Sequence, residues 1–220
     1  MSLSPLYVDE ELIILDKPPG ISVLVEGWEP AKPNLVNLVR KEFGQIWVVH
    51  RLDKSTSGVI VFTRTPEAHR QMNTQFQNHE VIKTYHAILE GKPNWSEMTA
   101  EQPLRPDRGH SHRTIIDFKN GKPSSTFFKV INIYNHHCLV ESMPKTGRTH
   151  QIRAHAAALG FPILGDHLYG ASKTTLIDRL ALHAASIEFI HPGTKERMSI
   201  TCPYPTDFVE ALAILRSGVD

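Results

Sequence analysis

The alternation of apolar and polar residues along the chain predicts many short strands and a few helices. The apolar run between Glu11 and Asp16 has the pattern of a strand, which the prolines and the glycine that follow would end. Asn34 and Thr65 are residue types that cap helix N-termini, and Pro66 suits a first helical position. Helices are therefore predicted over 35–43, 66–78 and 149–159 and from about 206, and further strands over 47–49, 58–62, 84–90, 114–118, 126–134, 138–143, 185–190 and 198–202. Consecutive strands with short connections favour an α+β fold with a largely antiparallel sheet over a regular βαβ alternation.

The composition is typical of a globular protein and excludes several other classes. The 220 residues include 24 Lys and Arg against 23 Asp and Glu, with 40% hydrophobic and 21% charged residues, which argues against disorder, collagen-like repeats and coiled coil. No apolar run approaches the ~18–20 residues that cross a bilayer. The N-terminal segment before Lys17 has no basic residue and no long apolar block, so no secretory signal is expected. The near-zero net charge excludes a histone-like excess, yet a basic cleft for nucleic acid remains compatible with it.

Cysteine content and length indicate a single intracellular domain. Cys138 and Cys202 are too few for a disulfide framework, and their scarcity fits a reducing compartment, so a cytoplasmic location is expected. We find no internal repeat and no linker-like segment. Residues 1–220 are therefore predicted to form one domain, with two lobes that share one sheet. The lack of a long amphipathic zipper favours a monomer with no obligate protein partner.

The first candidate for chemistry is the segment His-Arg-Leu-Asp-Lys-Ser-Thr-Ser-Gly at residues 50–58. An apolar strand leads into this polar segment and a second apolar strand follows it, so Asp53 lies in a turn at strand ends. Such turns are where folds display reactive groups. Alternatively, this is a solvated turn in which Asp53 bonds its own backbone.

The second candidate is residues 145–155, where two arginines and two histidines surround a predicted helix start. Cations near a helix N-terminus oppose the helix dipole, which is unusual unless Arg148 or Arg153 faces an anion. That anion is either a carboxylate of this protein or a phosphate of a ligand. Exposed arginines without a specific partner are the third interpretation.

Two further segments carry chemistry-bearing side chains in a less specific pattern. On a strand, Lys83 and Tyr85 share one face with Ala87, although a tyrosine here is also an ordinary core residue. Residues 104–122 hold five Lys or Arg against two Asp, which suits either a basic flap over RNA or a solvated loop. Motifs for a P-loop, a dinucleotide site, a serine hydrolase and a zinc site are absent.

Several segments together resemble the RluA-type pseudouridine synthases. They are the 50–58 segment, Lys-Thr-Tyr-His-Ala at 83–87, Thr-Gly-Arg-Thr-His-Gln-Ile-Arg-Ala-His at 146–155, Leu-Asp-Lys-Pro-Pro-Gly at 15–20 and Gly-Phe-Pro-Ile-Leu-Gly-Asp-His-Leu-Tyr-Gly at 160–170. The resemblance, which extends from about Leu6 to Pro205, implies a mixed, largely antiparallel bent sheet with flanking helices and a central cleft. It also implies isomerisation of uridine to pseudouridine in a structured rRNA or tRNA stem-loop, without metal or other cofactor. Many relatives carry an N-terminal S4-type RNA-binding domain, whereas this sequence is expected to start at the catalytic domain.

The resemblance also implies roles for individual residues. Asp53 corresponds to the catalytic aspartate, Tyr85 to the tyrosine that stacks on the base, and Arg153 to the arginine that pairs with the aspartate. Ile152 corresponds to an apolar residue beside the base, and Arg51 to a residue that fills the gap left by the flipped nucleotide. Contacts with the RNA backbone are expected from three further residues, Lys83, Arg148 and His150.

These residue types suit the chemistry of the reaction. The N1–C1′ bond breaks, the uracil turns, and C5 joins C1′, so the base must first leave the stack. An ionised Asp53 could attack or stabilise C1′ or could remove the C2′ proton, and the sequence leaves both mechanisms open. A close cation such as Arg153 would keep a buried carboxylate charged.

Three other functions fit parts of the sequence. A non-catalytic RNA-binding protein with the same fold is the main alternative, although such a protein has no need of the acid at position 53. An aspartyl-phosphate enzyme would need an acidic cluster to hold magnesium, whereas Asp53 is flanked by Arg51 and Lys54. A uridine-glycoside hydrolase would release free uracil.

Overall fold

The computed structural model describes residues 3–25, 32–107 and 113–218. The strands are β1 (Pro5–Val8), β2 (Leu12–Lys17), β3 (Trp47–Val48), β4 (Ser57–Thr63), β5 (Ile82–Glu90), β6 (Glu97–Ala100), β7 (Leu104–Pro106), β8 (Thr114–Ile116), β9 (Thr126–Ile133), β10 (His137–Pro144), β11 (Leu182–Ile190) and β12 (Arg197–Thr201). The α-helices are α1 (Leu35–Phe43), α2 (Pro66–Gln77), α3 (Gln151–Ala158) and α4 (Thr206–Ser217). A short 3₁₀ helix spans His167–Tyr169.

The chain divides into two compact units. The first unit comprises residues 1–83 and 184–203, and the second comprises residues 84–183 and 204–220. The chain therefore passes from one unit to the other within β5, within β11 and again after Pro203. The α+β fold class predicted from the sequence is confirmed. A single domain with two lobes around one sheet stays a prediction.

The first unit is an antiparallel set of strands with two capped helices. β2 pairs with β1 and with β4, β4 also pairs with β3, and β11 pairs with β12. The apolar residues of β2 and β4 are almost completely buried. The side chain of Asn34 accepts the N–H of Asn37 at the start of α1, and Thr65 accepts the N–H of Ala68 at the start of α2, so both predicted caps are confirmed.

Gly58 allows β4 to lie against its neighbour β11. Its φ of +112° is a conformation that side chains disfavour, and a Cβ atom here would come within 3 Å of the backbone of Ala184. Only glycine fits this position without moving the strand. Packing therefore explains why residue 58, the last of the 50–58 segment, is glycine. This explanation is independent of the role of the other residues in the segment.

The second unit combines a four-stranded antiparallel arrangement with a two-stranded hairpin. The strand order is β5–β10–β9–β6, and β7 pairs with β8 separately. Helices α3 and α4 contribute Ile152, Ala156, Phe208 and Leu212 to a hydrophobic core that also includes the buried residues of β5 and β10. None of the helices in the described residues combines the length and the apolar character that crossing a membrane requires.

The structure differs from the sequence predictions mainly in short strands. Strands β1, β6 and β7 were not predicted, because they are three or four residues long and depend on their partners more than on their own pattern. Part of the basic stretch 104–122 forms the β7–β8 hairpin, so this stretch is structured outside residues 108–112, which lie beyond the described part. Helix α3 begins at Gln151 and not at 149, because His150 adopts a left-handed conformation.

Candidate active site

Asp53 lies in a tight turn between two strands of the first unit, as the sequence predicts. Leu52 is buried and anchors the turn, and the N–H of Thr56 donates to the carbonyl of Asp53 at 3.1 Å. Asp53 itself is half-buried, and Arg51 is exposed. The turn therefore carries the guanidinium group of Arg51 and the carboxylate of Asp53, which flank the buried Leu52 in the sequence.

A buried lysine ties this turn to another loop of the first unit. The side chain of Lys17 has no exposed surface, and its ammonium donates to the carbonyls of Pro18 and Ile21 at 2.9 Å and of Lys54 at 3.1 Å. The N–H of Gly20 donates to the same Lys54 carbonyl at 2.8 Å. The 15–20 segment therefore helps to set the conformation of the residue next to Asp53.

His50, with its imidazole ring neutral, fixes the other end of the turn. The N–H of Val61 in β4 donates to His50 Nε2 at 2.9 Å, and the imidazole stacks on the ring of Phe76 with centroids 5.0 Å apart. Burial, together with the ammonium of Lys83, lowers the pKa of His50 to about 3. Burial also lowers the pKa of Lys83 to about 8. Because Nε2 must accept a hydrogen bond, His50 extends the β3–β4 ladder only while it is unprotonated.

In the second unit, Gln151 organises the loop that precedes α3. Its Oε1 accepts from the Thr146 hydroxyl at 2.6 Å and from the Arg148 N–H at 3.0 Å. Its Nε2 donates to the carbonyl of Ser125 at 2.8 Å and to the Thr126 hydroxyl at 3.0 Å. This buried amide therefore holds the loop that carries Arg148, whose side chain remains exposed.

Arg153 is held by Asp166, a carboxylate for which the sequence predicts no role. Its Nε and Nη2 donate to the two carboxylate oxygens of Asp166 at 2.7 and 2.8 Å. The side chains of Arg153 and Asp166 are only 12% and 2% exposed. The guanidinium carbon also lies 5.0 Å from the ring centroid of Tyr169, which is a cation–π distance. The 160–170 segment therefore supplies the carboxylate that faces Arg153.

The hydroxyl of Tyr169 links the β7–β8 hairpin to the start of α3. It accepts the N–H of Thr114 at 2.7 Å and lies 3.1 Å from His150 Nδ1. The hydroxyl of Thr114 in turn donates to the carbonyl of Thr149 at 2.8 Å. His150 has a φ of +52°, a conformation that non-glycine residues rarely adopt, and these contacts hold it there.

Tyr85 and Ile152 both pack on the core of the second unit. Ile152 is 5% exposed and belongs to the hydrophobic core. Tyr85 is half-buried in β5, opposite Ser142 of β10, and rests against the same core. Their positions suit packing, and a role in binding a base stays a prediction.

His155, the second histidine of the 146–155 segment, has a structural role. Its Nδ1 lies 2.8 Å from the Thr126 hydroxyl and its Nε2 lies 2.9 Å from the carbonyl of Gln102. Burial lowers the pKa of His155, which favours the neutral ring. Within residues 3–25, 32–107 and 113–218, no three His, Cys, Asp or Glu side chains lie close enough together to hold a metal ion.

The predicted site residues thus fall into two groups. Arg51, Asp53 and Lys83 belong to the first unit, and the other five, Tyr85, Arg148, His150, Ile152 and Arg153, belong to the second. The structure brings His150 and Arg153 together around one tyrosine ring. An ion pair between Asp53 and Arg153 stays a prediction.

Sequence reasoning missed Lys17, Asp166 and Tyr169 as parts of the site. All three lie in segments that carry the resemblance described above, 15–20 and 160–170, so a signal was present. The sequence does not show, however, which residue each of these side chains contacts.

Comparison with known proteins identifies the family. A family model described as RNA pseudouridylate synthase matches residues 11–158. The chain belongs to this family. Its members are isomerases, so this protein is an enzyme of the RNA pseudouridine synthase class.

Two relatives whose names state a function are similar to this chain at moderate identity. The chain is 35% identical over 205 residues to the dual-specificity RNA pseudouridine synthase RluA of Salmonella typhimurium, covering 92% of this chain and 93% of the relative. It is 36% identical over 223 residues to the ribosomal large subunit pseudouridine synthase C of Buchnera aphidicola, covering 96% and 70%. The predicted resemblance to RluA-type synthases is confirmed.

A solved structure confirms the fold of the family. Human RNA pseudouridylate synthase domain containing 4 superposes with a TM-score of 0.78 at 26% identity, covering 97% of this chain and 93% of that one. The fold therefore agrees with the family assignment over almost the whole chain.

Proposed function

We propose that this protein isomerises specific uridines to pseudouridine in ribosomal RNA, transfer RNA or both. The observation that carries the proposal is the match to a synthase named for dual specificity, at 35% identity over 93% of that protein. The second named relative modifies the large ribosomal subunit, according to its name. We place the enzyme in the cytoplasm, where these RNAs occur and where its two buried thiols would stay reduced.

Asp53 is the proposed catalytic residue. Cleavage of the N1–C1′ bond leaves the ribose electron-poor, and an ionised carboxylate can bond to C1′ or remove the C2′ proton. After the uracil has turned, C5 bonds to C1′ while the Asp53–C1′ bond breaks or, in the second mechanism, while the proton returns to C2′. The C5 proton then leaves, and N1 takes up a proton. The fixed turn around Asp53 supports this role, because Leu52 and the Lys17 contacts hold its backbone in one conformation.

Arg153 is the proposed cation that keeps Asp53 ionised in the enzyme–RNA complex. A guanidinium has five N–H donors, and the two-point bond to Asp166 uses two of them. The same side chain can therefore serve Asp166 and a second carboxylate. The ring of Tyr169 adds a further constraint on its orientation.

Tyr85, Ile152 and Arg51 are the proposed contacts to the extruded nucleotide. An aromatic face and an apolar side chain hold a flat ring without pinning its edge, so the uracil can turn. Exposed Arg51, two residues from the acid, is suited to occupying the vacated position in the RNA. Lys83, Arg148 and His150 are proposed to contact the RNA backbone, and the active unit is proposed to be a monomer.

Tritium release tests the proposal. RNA labelled with tritium at C5 of uridine loses the label to water when C5 becomes bonded to C1′. The purified protein should release tritium from rRNA or tRNA transcripts in the presence of EDTA, since we propose no metal. RNA binding without release would favour the non-catalytic alternative, and free uracil in the supernatant would indicate a hydrolase. Mapping of pseudouridines in cells with and without the gene would then identify the target positions.

A further inference from the structure

Phe118 is the most exposed of the large apolar side chains in the described residues. It is 82% exposed, whereas the next, Ile133, is 55% exposed. Single half-exposed apolar residues are ordinary on a protein surface. A phenylalanine ring that is almost fully in water is less ordinary, because the ring gains nothing from folding.

The turn that carries Phe118 is held rigidly from several sides. The carboxylate of Asp117 accepts the N–H groups of Lys119 at 3.0 Å and Asn120 at 2.9 Å, and it also accepts from Arg105 Nε at 2.6 Å. These contacts lower the pKa of Asp117 to about 2, so the carboxylate remains ionised. The N–H of Gly121 donates to the carbonyl of Asp117 at 2.7 Å. Phe118 is therefore displayed by a fixed turn.

The base of the same turn is fixed to the β7–β8 hairpin. Leu104 and Lys122 exchange two backbone hydrogen bonds, of 2.9 and 2.8 Å, and Asp117 N–H donates to the carbonyl of Pro103 at 3.0 Å. A Cβ atom on Gly121 would come within 3 Å of the backbone at Pro103, so the turn needs glycine here. The backbone position of Phe118 is thus set before any ligand binds.

Cationic side chains lie on the turn that carries Phe118 or contact the residues next to it. Lys119 and Lys122 are exposed, and the side chain of Arg105 is 41% exposed. Arg148 reaches the same region, since its Nε and Nη2 both lie 3.4 Å from the carbonyl of Pro123. The carboxylate of Asp117 is engaged with Arg105, so the local surface is basic.

We propose that Phe118 is a stacking platform for an unpaired nucleobase of the RNA substrate, with Lys119, Lys122 and Arg148 contacting the adjacent phosphates. Base–aromatic stacking next to cations is the usual way in which proteins hold single-stranded nucleic acid. A rigid turn favours this use, because its backbone does not have to be ordered on binding. The proposal rests on the proposed function only in that the ligand is RNA.

A protein partner fits this surface less well. Protein interfaces have a contiguous, uncharged centre, whereas Phe118 is one ring among lysines and arginines. Lysine is depleted from such interfaces and is typical of nucleic-acid contacts. A second copy of the chain as occupant is therefore an outcome that the experiment must be able to show.

Binding to two RNA probes tests the proposal. One probe is a hairpin with a loop of unpaired adenosines and no loop uridine, and the other is a blunt duplex of the same length. Phe118→Ala should weaken binding to the hairpin about 5- to 150-fold and leave duplex binding unchanged, because stacking is lost while the phosphate contacts stay. Ile133→Ala, at an exposed position of β9, is the matched control and should bind both probes like the wild type.

A second variant gives a direct signal. Phe118→Trp should restore hairpin binding, and its added fluorescence should be quenched by the hairpin and not by the duplex. Wild-type affinity of Phe118→Ala for the hairpin, an equal loss for both probes, or unquenched tryptophan would overturn the proposal. So would sedimentation that shows a wild-type dimer dissociating in Phe118→Ala.

These binding measurements are independent of turnover, since the adenosine loop offers no substrate. If the wild-type protein releases no tritium but Phe118→Ala still loses hairpin binding, the proposed reaction fails and the stacking site stands. If tritium is released and hairpin binding does not depend on residue 118, the stacking site fails and the proposed reaction stands.

Discussion

The guanidinium of Arg153 and the carboxylate of Asp166 form a two-point ion pair that is almost entirely buried within the second unit. The arginine that the motif suggests for Asp53 thus already has a counter-ion, supplied by another motif. Burying one charge without its partner would be costly, so Asp166 makes a buried Arg153 possible. Any catalytic use of Arg153 depends on this pair.

Asp166→Asn is expected to destabilise the protein by about 3–5 kcal/mol, because it leaves a buried guanidinium without its counter-ion. The change is measured as the free energy of unfolding in urea. Asp178→Asn, at an exposed aspartate in the same unit, is the control and should change it little. Equal unfolding midpoints for the two variants would show that the pair contributes nothing.

Tyr169→Phe is expected to loosen the β7–β8 hairpin while Arg153 keeps its aromatic neighbour. The variant removes the hydroxyl that accepts the Thr114 N–H, at a cost of about 1–2 kcal/mol, but retains the ring. Hydrogen exchange at the Thr114 amide should therefore accelerate about 5- to 30-fold. Tyr169→Leu should additionally lower turnover through Arg153. Unchanged exchange in Tyr169→Phe would contradict the assignment of the hydroxyl.

Asp53→Asn is expected to leave folding and RNA binding close to those of the wild type and to abolish tritium release. The amide is similar in shape to the carboxylate but can neither bond to C1′ nor accept the C2′ proton effectively. Circular dichroism and RNA binding serve as controls for integrity. If the folded variant retained most of its turnover, Asp53 would not be the catalytic residue.

Lys17→Met is expected to destabilise the protein by about 3 kcal/mol and to reduce turnover. Three carbonyls that accept from the ammonium would lose their donor, and one of them belongs to Lys54 beside Asp53. Urea unfolding and tritium release measure the two effects. Lys41→Met, at an exposed lysine of α1, is the matched control. Wild-type stability in Lys17→Met would mean that the buried ammonium is dispensable.

Stability is expected to fall in acid because of His50. Its pKa is about 3 in the folded protein against 6.5 in the unfolded chain, so below pH 6.5 the unfolded state binds the extra proton. The stabilising effect of the neutral ring is therefore complete above pH 6.5 and is lost progressively as the pH falls towards 3. His50→Gln keeps an acceptor for the N–H of Val61. This variant should make the free energy of unfolding less dependent on pH between 6.5 and 4. His136→Gln, at an exposed histidine, should keep the wild-type slope, and a wild-type slope in His50→Gln would contradict the assignment.

Local signals in the sequence predicted much of the fold. The caps at Asn34 and Thr65 act on N–H groups three residues away, so a short window of sequence contains both partners. The apolar runs of β2, β4 and β11 likewise reveal burial by themselves. Where an element was missed, as with β7, its three residues are defined by pairing with β8 and not by their own pattern.

The candidate site was predictable only in part, for the same physical reason. Asp53 and Arg153 stand in recognisable segments, but Arg153 meets Asp166 thirteen residues further on, and Tyr169 meets Thr114 across 55 positions. A sequence shows which side chains could be charged or aromatic. It does not show which of them meet, because loop conformation and packing decide that.

The discontinuity of the first unit has a consequence for synthesis on the ribosome. Residues 184–203 belong to that unit but are translated more than a hundred residues after β4, the strand beside which β11 lies. Until those residues have been made, the part of the β4 edge that β11 covers is open, and such an edge is a site for aggregation. A chaperone that binds the nascent chain before residues 184–203 are made would therefore reduce aggregation. For the same reason, a fragment that ends at residue 83 would be a poor choice for expression.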